Sequence, residues 1–206
     1  MRDGGAEDAG ASASGGRADS STPAVVPEQL VNIEIIQCLI GPSKSDGTEW
    51  DFSAKVPAST TTALASALGL PGVGPIINFL ATPSIAALSK PDPYGTAELD
   101  WNGTGFDPAR TIVLADPTNN MGNTFQPLWL GTRGWASLPL SAPLMIRLTL
   151  MDEDLIYDDA IGVATISGAD IKAAFAAGGT TWVRTDGMTV KQILAIGIQV
   201  TPARTP

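Results

Sequence analysis

Histidine is absent from the 206 residues. That removes the commonest general base and the commonest transition-metal ligand, and it excludes Ser-His-Asp and Cys-His catalytic sites. There is one cysteine, so no internal disulfide forms. Cys38 sits in the apolar run NIEIIQCLI and reads as a buried structural residue. Basic residues are also scarce: 12 Lys and Arg face 21 Asp and Glu, a net charge of −9. Phosphate recognition wants a basic face, so nucleic acid is excluded as a partner. An anionic membrane is disfavoured too, unless a bound cation inverts the local field. No run of eighteen apolar residues is free of breakers, so no spanning helix is expected. Residues after Met1 read RDGGAEDAG, which lacks the apolar core of a signal peptide.

What remains is mostly globular: 44% of residues are hydrophobic and mean hydropathy is +0.14. Residues 1–28 are the exception. Gly, Ala, Ser, Asp and Pro dominate there without one aromatic, which marks a flexible linker or tail. The block looks like the spacer after the lipidated cysteine of many bacterial lipoproteins, which would tether the chain at the cell envelope. The alternative is an ordinary disordered N-terminus on a cytoplasmic protein.

Residues 29–206 change character. VNIEIIQCLI, TAELDW, TIVLAD, LMIRLTLM, AIGVATIS and ILAIGIQV read as strands, separated by turn-rich segments such as GPSKSDG, DWNGTG and DPTNNMGN. In LMIRLTLM, Leu144, Ile146, Leu148 and Leu150 share one face and Met145, Arg147 and Thr149 the other. This pattern predicts an all-β, antiparallel eight-stranded sandwich with short helical insertions. SGADIKAAFAAGG predicts a short helix capped by Ser167. Residues at about 52–90 form an apolar insertion, with one helix before Pro71 and another after Pro75, interrupted at Pro83.

The segment DEDLIYDDAIG, residues 152–162, puts five acids into eight residues directly after an apolar strand. A second acidic loop runs from DGTEWD at Asp46–Asp51 across the insertion to KPDPY. Asp46, Glu49, Asp51, Asp92, Asp152, Glu153, Asp154, Asp158 and Asp159 make nine of the 21 acids, gathered near strand ends. Calcium takes about six to eight oxygens, many from carboxylates, and so suits such loops. An EF-hand is excluded, because Tyr157 stands where its sixth-position glycine belongs and Val163 where its last glutamate belongs.

The ordered set of Asp46 or Asp51, DPY at Asp92, QPLW at Gln126–Trp129, DED at Asp152–Asp154 and Asp159-Ala-Ile-Gly resembles a C2 domain, of a divergent bacterial type, over roughly residues 30–201. The resemblance implies a β-sandwich whose loops bind Ca2+ and dock on phospholipid. It implies metal ligands among Asp46, Asp51, Asp92, Asp152, Asp154, Asp158 and Asp159. Asp46 is favoured over Asp51, and Asp158 and Asp159 compete for one role. The lysine-rich strand that some members use for phosphoinositides is missing.

Apolar residues of the first loop have two readings. Trp50 either inserts at a bilayer interface or packs on the loop base. Ile76, Ile77, Phe79 and Leu80 either contact a membrane or partner, or pack against the sandwich. The expected function is a calcium-binding module for calcium-dependent association with an anionic membrane or a protein. The alternative is a structural or assembly protein whose acidic loops give only rigidity or solubility. No enzymatic activity is expected: acid density alone speaks for paired-carboxylate chemistry, and no nucleotide or nucleophile motif is present.

Overall fold

The computed structural model describes residues 28–129, 133–154, 157–185 and 192–204. The N-terminal linker therefore lies outside the described residues. Along the chain come β1 (Leu30–Ile40), α1 (Ala58–Leu68), α2 (Gly74–Leu80), α3 (Pro83–Ala86), β2 (Pro93–Asp100), β3 (Ile112–Ala115), β4 (Gly134–Pro139), β5 (Met145–Asp152), β6 (Asp159–Ser167), α4 (Gly168–Ala177), β7 (Thr180–Arg184) and β8 (Ile193–Pro202). The strands form two four-stranded antiparallel sheets, β4-β1-β8-β7 and β3-β2-β5-β6.

Period-two patterning decides which faces meet. Leu144, Ile146, Leu148 and Leu150 are all buried, while Met145 is exposed and Arg147 and Thr149 are half-buried. Each such side chain removed from water contributes about 1.5–3 kcal/mol. Val31, Ile33 and Ile35 of β1 do the same for the other sheet. β8 lies inside its sheet, between β1 and β7, and is buried continuously from Ile193 to Ile198. Cys38 is buried in the same core, and burial pushes its thiol pKa up.

Helix α4 has the predicted start. Ser167 Oγ accepts from the Asp170 N–H, and the Asp170 carboxylate accepts from the Ser167 N–H, a reciprocal capping box. Gly95 lies at φ 153°, and a Cβ there would fall 2.1 Å from the Thr149 carbonyl oxygen. Only glycine lets β2 come this close to β5.

The sequence reading did not anticipate β4 or β7. Gln126–Trp129 runs beside β1 without forming a strand of its own, through a bridge between Gln37 and Leu128 and through hydrogen bonds from the Cys38 N–H to the Pro127 carbonyl and from the Trp129 N–H to the Ile36 carbonyl. The insertion is helical as expected, but its apolar side chains face inward. Ile76, Phe79, Leu80 and Ile85 belong to the core, and Ile77 packs against it half-buried. Arg184 of β7 fastens the insertion, donating to the carbonyls of Leu68, Leu70 and Gly72 where α1 ends.

Candidate metal centre

Strand register assembles the site. Pro93 pairs with Asp152, and Asp152 pairs with Asp159, so the starts of β2 and β6 and the end of β5 lie side by side at one end of their sheet. The two acidic loops emerge there.

The first loop is held by a small hairpin. Thr48 pairs with Lys55, and the Glu49 N–H donates to the Ala54 carbonyl at 2.9 Å. Asp51 and Phe52 lie in its turn. The Asp51 N–H donates to Ser89 Oγ, and the Ser89 N–H donates to Glu49 Oε2, so both ends of the insertion are tied at this point. Trp50 is fully buried and its Nε1 donates to the Gly41 carbonyl at 3.0 Å. Bilayer contact by Trp50, Ile76, Phe79 and Leu80 is therefore corrected: burial in the core takes these residues out of reach of a membrane or partner.

Three carboxylates converge. Oxygens of Asp51, Asp152 and Asp154 lie within 4.8 Å of one another. Asp152 is the member of the group that is fully buried. Its Oδ1 accepts from the Asp92 N–H at 2.6 Å. Its Oδ2 is buried with no hydrogen-bond partner among the described residues. A buried carboxylate oxygen without a partner costs free energy, and burial raises the Asp152 pKa to about 7. Burial also raises Asp51 and Asp154; the Asp92 charge adds to the first, and the Asp159 and Asp51 charges to the second, against the lowering effect of Lys44. A hard divalent cation would relieve all three effects. The donor set, carboxylate oxygen throughout, fits calcium rather than a soft transition metal.

The other predicted ligands have partners of their own. Asp46 is exposed, and its Oδ1 accepts from the N–H and hydroxyl of Thr48 at 2.9 and 2.6 Å. These bonds hold its carboxyl below the usual range. The preference for Asp46 over Asp51 is thus corrected: a local turn satisfies Asp46, and Asp51 is the residue at the cluster. Asp158 is exposed; it accepts from the Tyr94 hydroxyl at 2.7 Å and from the Asp154 N–H at 3.2 Å. The Tyr94 hydrogen bond lowers Asp158, and the same bond pushes the Tyr94 hydroxyl up to about 12. Asp92 accepts from the Asn123 N–H and contributes its own N–H to Asp152. Asp159 is ion-paired to Lys44.

Three residues at the site escaped the sequence reading. Lys44 ion-pairs with Asp159 and lies 4.0 Å from Asp154. Its burial works against the charge, but the Asp159 hydrogen bond and the charges of Asp159, Asp154 and Asp152 outweigh that and raise its pKa. Phe52 and Tyr157 are 63% and 83% exposed on the two acidic loops. Their only sequence signal was position: each adjoins a candidate ligand, Asp51 and Asp158.

No protein-family model matches the chain, and no curated protein does. Among solved structures, the chain is similar to the calcium-bound tandem C2 domains of extended synaptotagmin 2, with 15% identity, a TM-score of 0.43, and coverage of 86% of this chain and 46% of that one. It is similar to a longer piece of the same protein, the SMP domain with both C2 domains, at 14% identity and a TM-score of 0.42, covering 86% and 27%. Human GIVD cytosolic phospholipase A2 is similar at 10% identity and a TM-score of 0.41, covering 86% and 17%. The chain spans less than half the length of each.

Proposed function

We propose that the protein is a C2-like calcium-binding module that associates with anionic phospholipid when its loop site is filled. The observation that carries this is the buried Asp152, whose Oδ2 is unpartnered among the described residues and whose carboxylate is grouped with those of Asp51 and Asp154. Calcium held by these carboxylates leaves the site less negative, and phosphate oxygens of a lipid would complete its shell. Phe52 and Tyr157 replace the buried Trp50 and α2 residues as apolar groups able to enter the interface. The linker read from residues 1–28 would tether the module at the cell envelope. It acts by binding, with no chemistry of its own.

Flotation of the full chain with phosphatidylserine vesicles, in calcium and in EDTA, tests this reading. Association in calcium alone is expected. Equal partitioning in both buffers, or none in either, would remove the membrane. Calcium binding without lipid binding would favour the assembly role.

A further inference from the structure

The sandwich is open along one side. β3, the edge strand of its sheet, has only 4 residues, and Gln126–Trp129 runs beside β1 without forming a strand of its own. A cavity of about 520 Å³ lies here, lined from both. Small-molecule sites span roughly 300–1,000 Å³. The wall is largely apolar: Val113 and Leu114 of β3, with Met121, Leu128 and Trp129. Val113 and Leu128 are exposed.

Two polar groups on this wall lack the partners their kinds normally have. Trp129 is buried, and its Nε1 has no hydrogen-bond acceptor among the described residues. A buried indole N–H usually finds one. Arg133 donates through Nε to the Leu114 carbonyl at 3.3 Å. Among the described residues it forms no ion pair, unlike Lys44, Arg110 and Arg147. We propose that this cavity binds a small amphiphile with one carboxylate on an apolar body, the carboxylate pairing with Arg133 and accepting from the Trp129 N–H. None of the clustered acids lines it, so the inference does not rest on the calcium reading.

Charge selects the head group. A guanidinium presents a planar fork that a carboxylate can meet with two parallel hydrogen bonds. Asp116 shares the wall, and hydrogen bonds from the Thr118 hydroxyl and from Asn119 hold its carboxyl below the usual range. It is therefore a second, fixed negative charge. The wall can match one unit of negative charge on a ligand, not several. A phosphate monoester carries about −1.5 to −2 at neutral pH, and a head with several phosphates carries more. A neutral alcohol leaves the guanidinium unpaired. The apolar body then covers Val113, Met121 and Leu128, whose removal from water is favourable.

Isothermal titration of the full chain in EDTA tests this, with sodium octanoate, octanol and inositol trisphosphate as probes. The native protein should take one octanoate per chain, at least about tenfold more tightly than octanol, because hydrogen bonds between charged groups are the stronger class. It should not bind inositol trisphosphate. Arg133→Met should bind octanoate and octanol alike, and Trp129→Phe should weaken octanoate severalfold. Val113 is exposed on an edge strand, so Val113→Glu adds a negative charge to the wall without disturbing the fold, and it too should weaken octanoate. It decides the matter should Arg133→Met give no cooperative melt. Absence of saturable octanoate binding to the native chain would overturn the inference, as would equal affinity for octanol. Unchanged octanoate affinity in Arg133→Met, or in Val113→Glu where that variant decides, would overturn it as well. Binding of inositol trisphosphate would replace the carboxylate with a head of several phosphates.

Discussion

The main-chain N–H of Asp92 donates to Oδ1 of Asp152 at 2.6 Å, joining residues sixty apart in the chain. The bond satisfies one oxygen of a fully buried carboxylate and leaves the other without a partner among the described residues, in a residue grouped with Asp51 and Asp154.

Asp152→Asn keeps the acceptor for Asp92 and removes the buried charge. In EDTA this variant should be more stable than the native protein by about 1–2 kcal/mol, or roughly 3–6 °C in Tm for a chain of this size. Calcium at a hundredfold excess over Kd should stabilise the native protein by about 2.7 kcal/mol and the variant not at all. Asp152→Asn with Asp154→Asn should behave likewise. Melting curves with and without calcium check this. A native-like calcium response in Asp152→Asn would exclude Asp152 as a ligand.

Calcium affinity should depend on pH with a sign set by Asp152. Its folded pKa is about 7, above the ordinary carboxylate value of 3.8. Between those values the folded state holds a proton that the unfolded state has lost, so this group makes the metal-free protein less stable as pH rises to 7. Calcium needs the carboxylate, so affinity should fall about tenfold per pH unit below about 7 and level off above it. Titrations at pH 5.5, 6.5 and 7.5 measure this. The same Kd at 5.5 and 7.5 would contradict the assignment.

Phe52→Ser with Tyr157→Ser should cut vesicle association in calcium by at least tenfold and leave calcium binding unchanged, since each ring is exposed on one of the acidic loops. Trp50→Ala should do the opposite. It opens a cavity and should cost about 3–5 kcal/mol of stability. Flotation paired with thermal melts separates the two.

Arg184→Gln should loosen the insertion. Arg184 bonds to the carbonyls of Leu68, Leu70 and Gly72, and charged hydrogen bonds of this kind contribute about 1.5–3 kcal/mol each. Limited proteolysis should cut within residues 57–90 before the sandwich unfolds, whereas the native chain resists. Equal cleavage rates would show that core packing of α2 alone holds the segment.

Much of the fold was legible in the sequence because its signals are local. The alternation of LMIRLTLM determines which face of β5 is buried, since strand side chains alternate whatever their neighbours do. Ser167 and Asp170 determine the start of α4, because the capping box spans three residues. The dense acids of 152–159 marked the loop where Asp152 and Asp154 lie. β4 and β7 were not legible: GWASLP and TTWVR are short, and pairing with β1 and β8 rather than pattern makes them strands.

The site's membership was decided only in three dimensions. Position at the loop start favours Asp46 over Asp51, yet the Thr48 turn satisfies Asp46 and the Ser89 contact holds Asp51 at the cluster. Trp50 and Phe52 are both aromatic residues of one loop, and the folded core buries the first and leaves the second in solvent. Lys44 carried no signal at all, because its partner Asp159 lies 115 residues away. Charge acts through space rather than along the chain, so composition names the acids, but only the folded register of β2, β5 and β6 says which of them share a cation and which already have one.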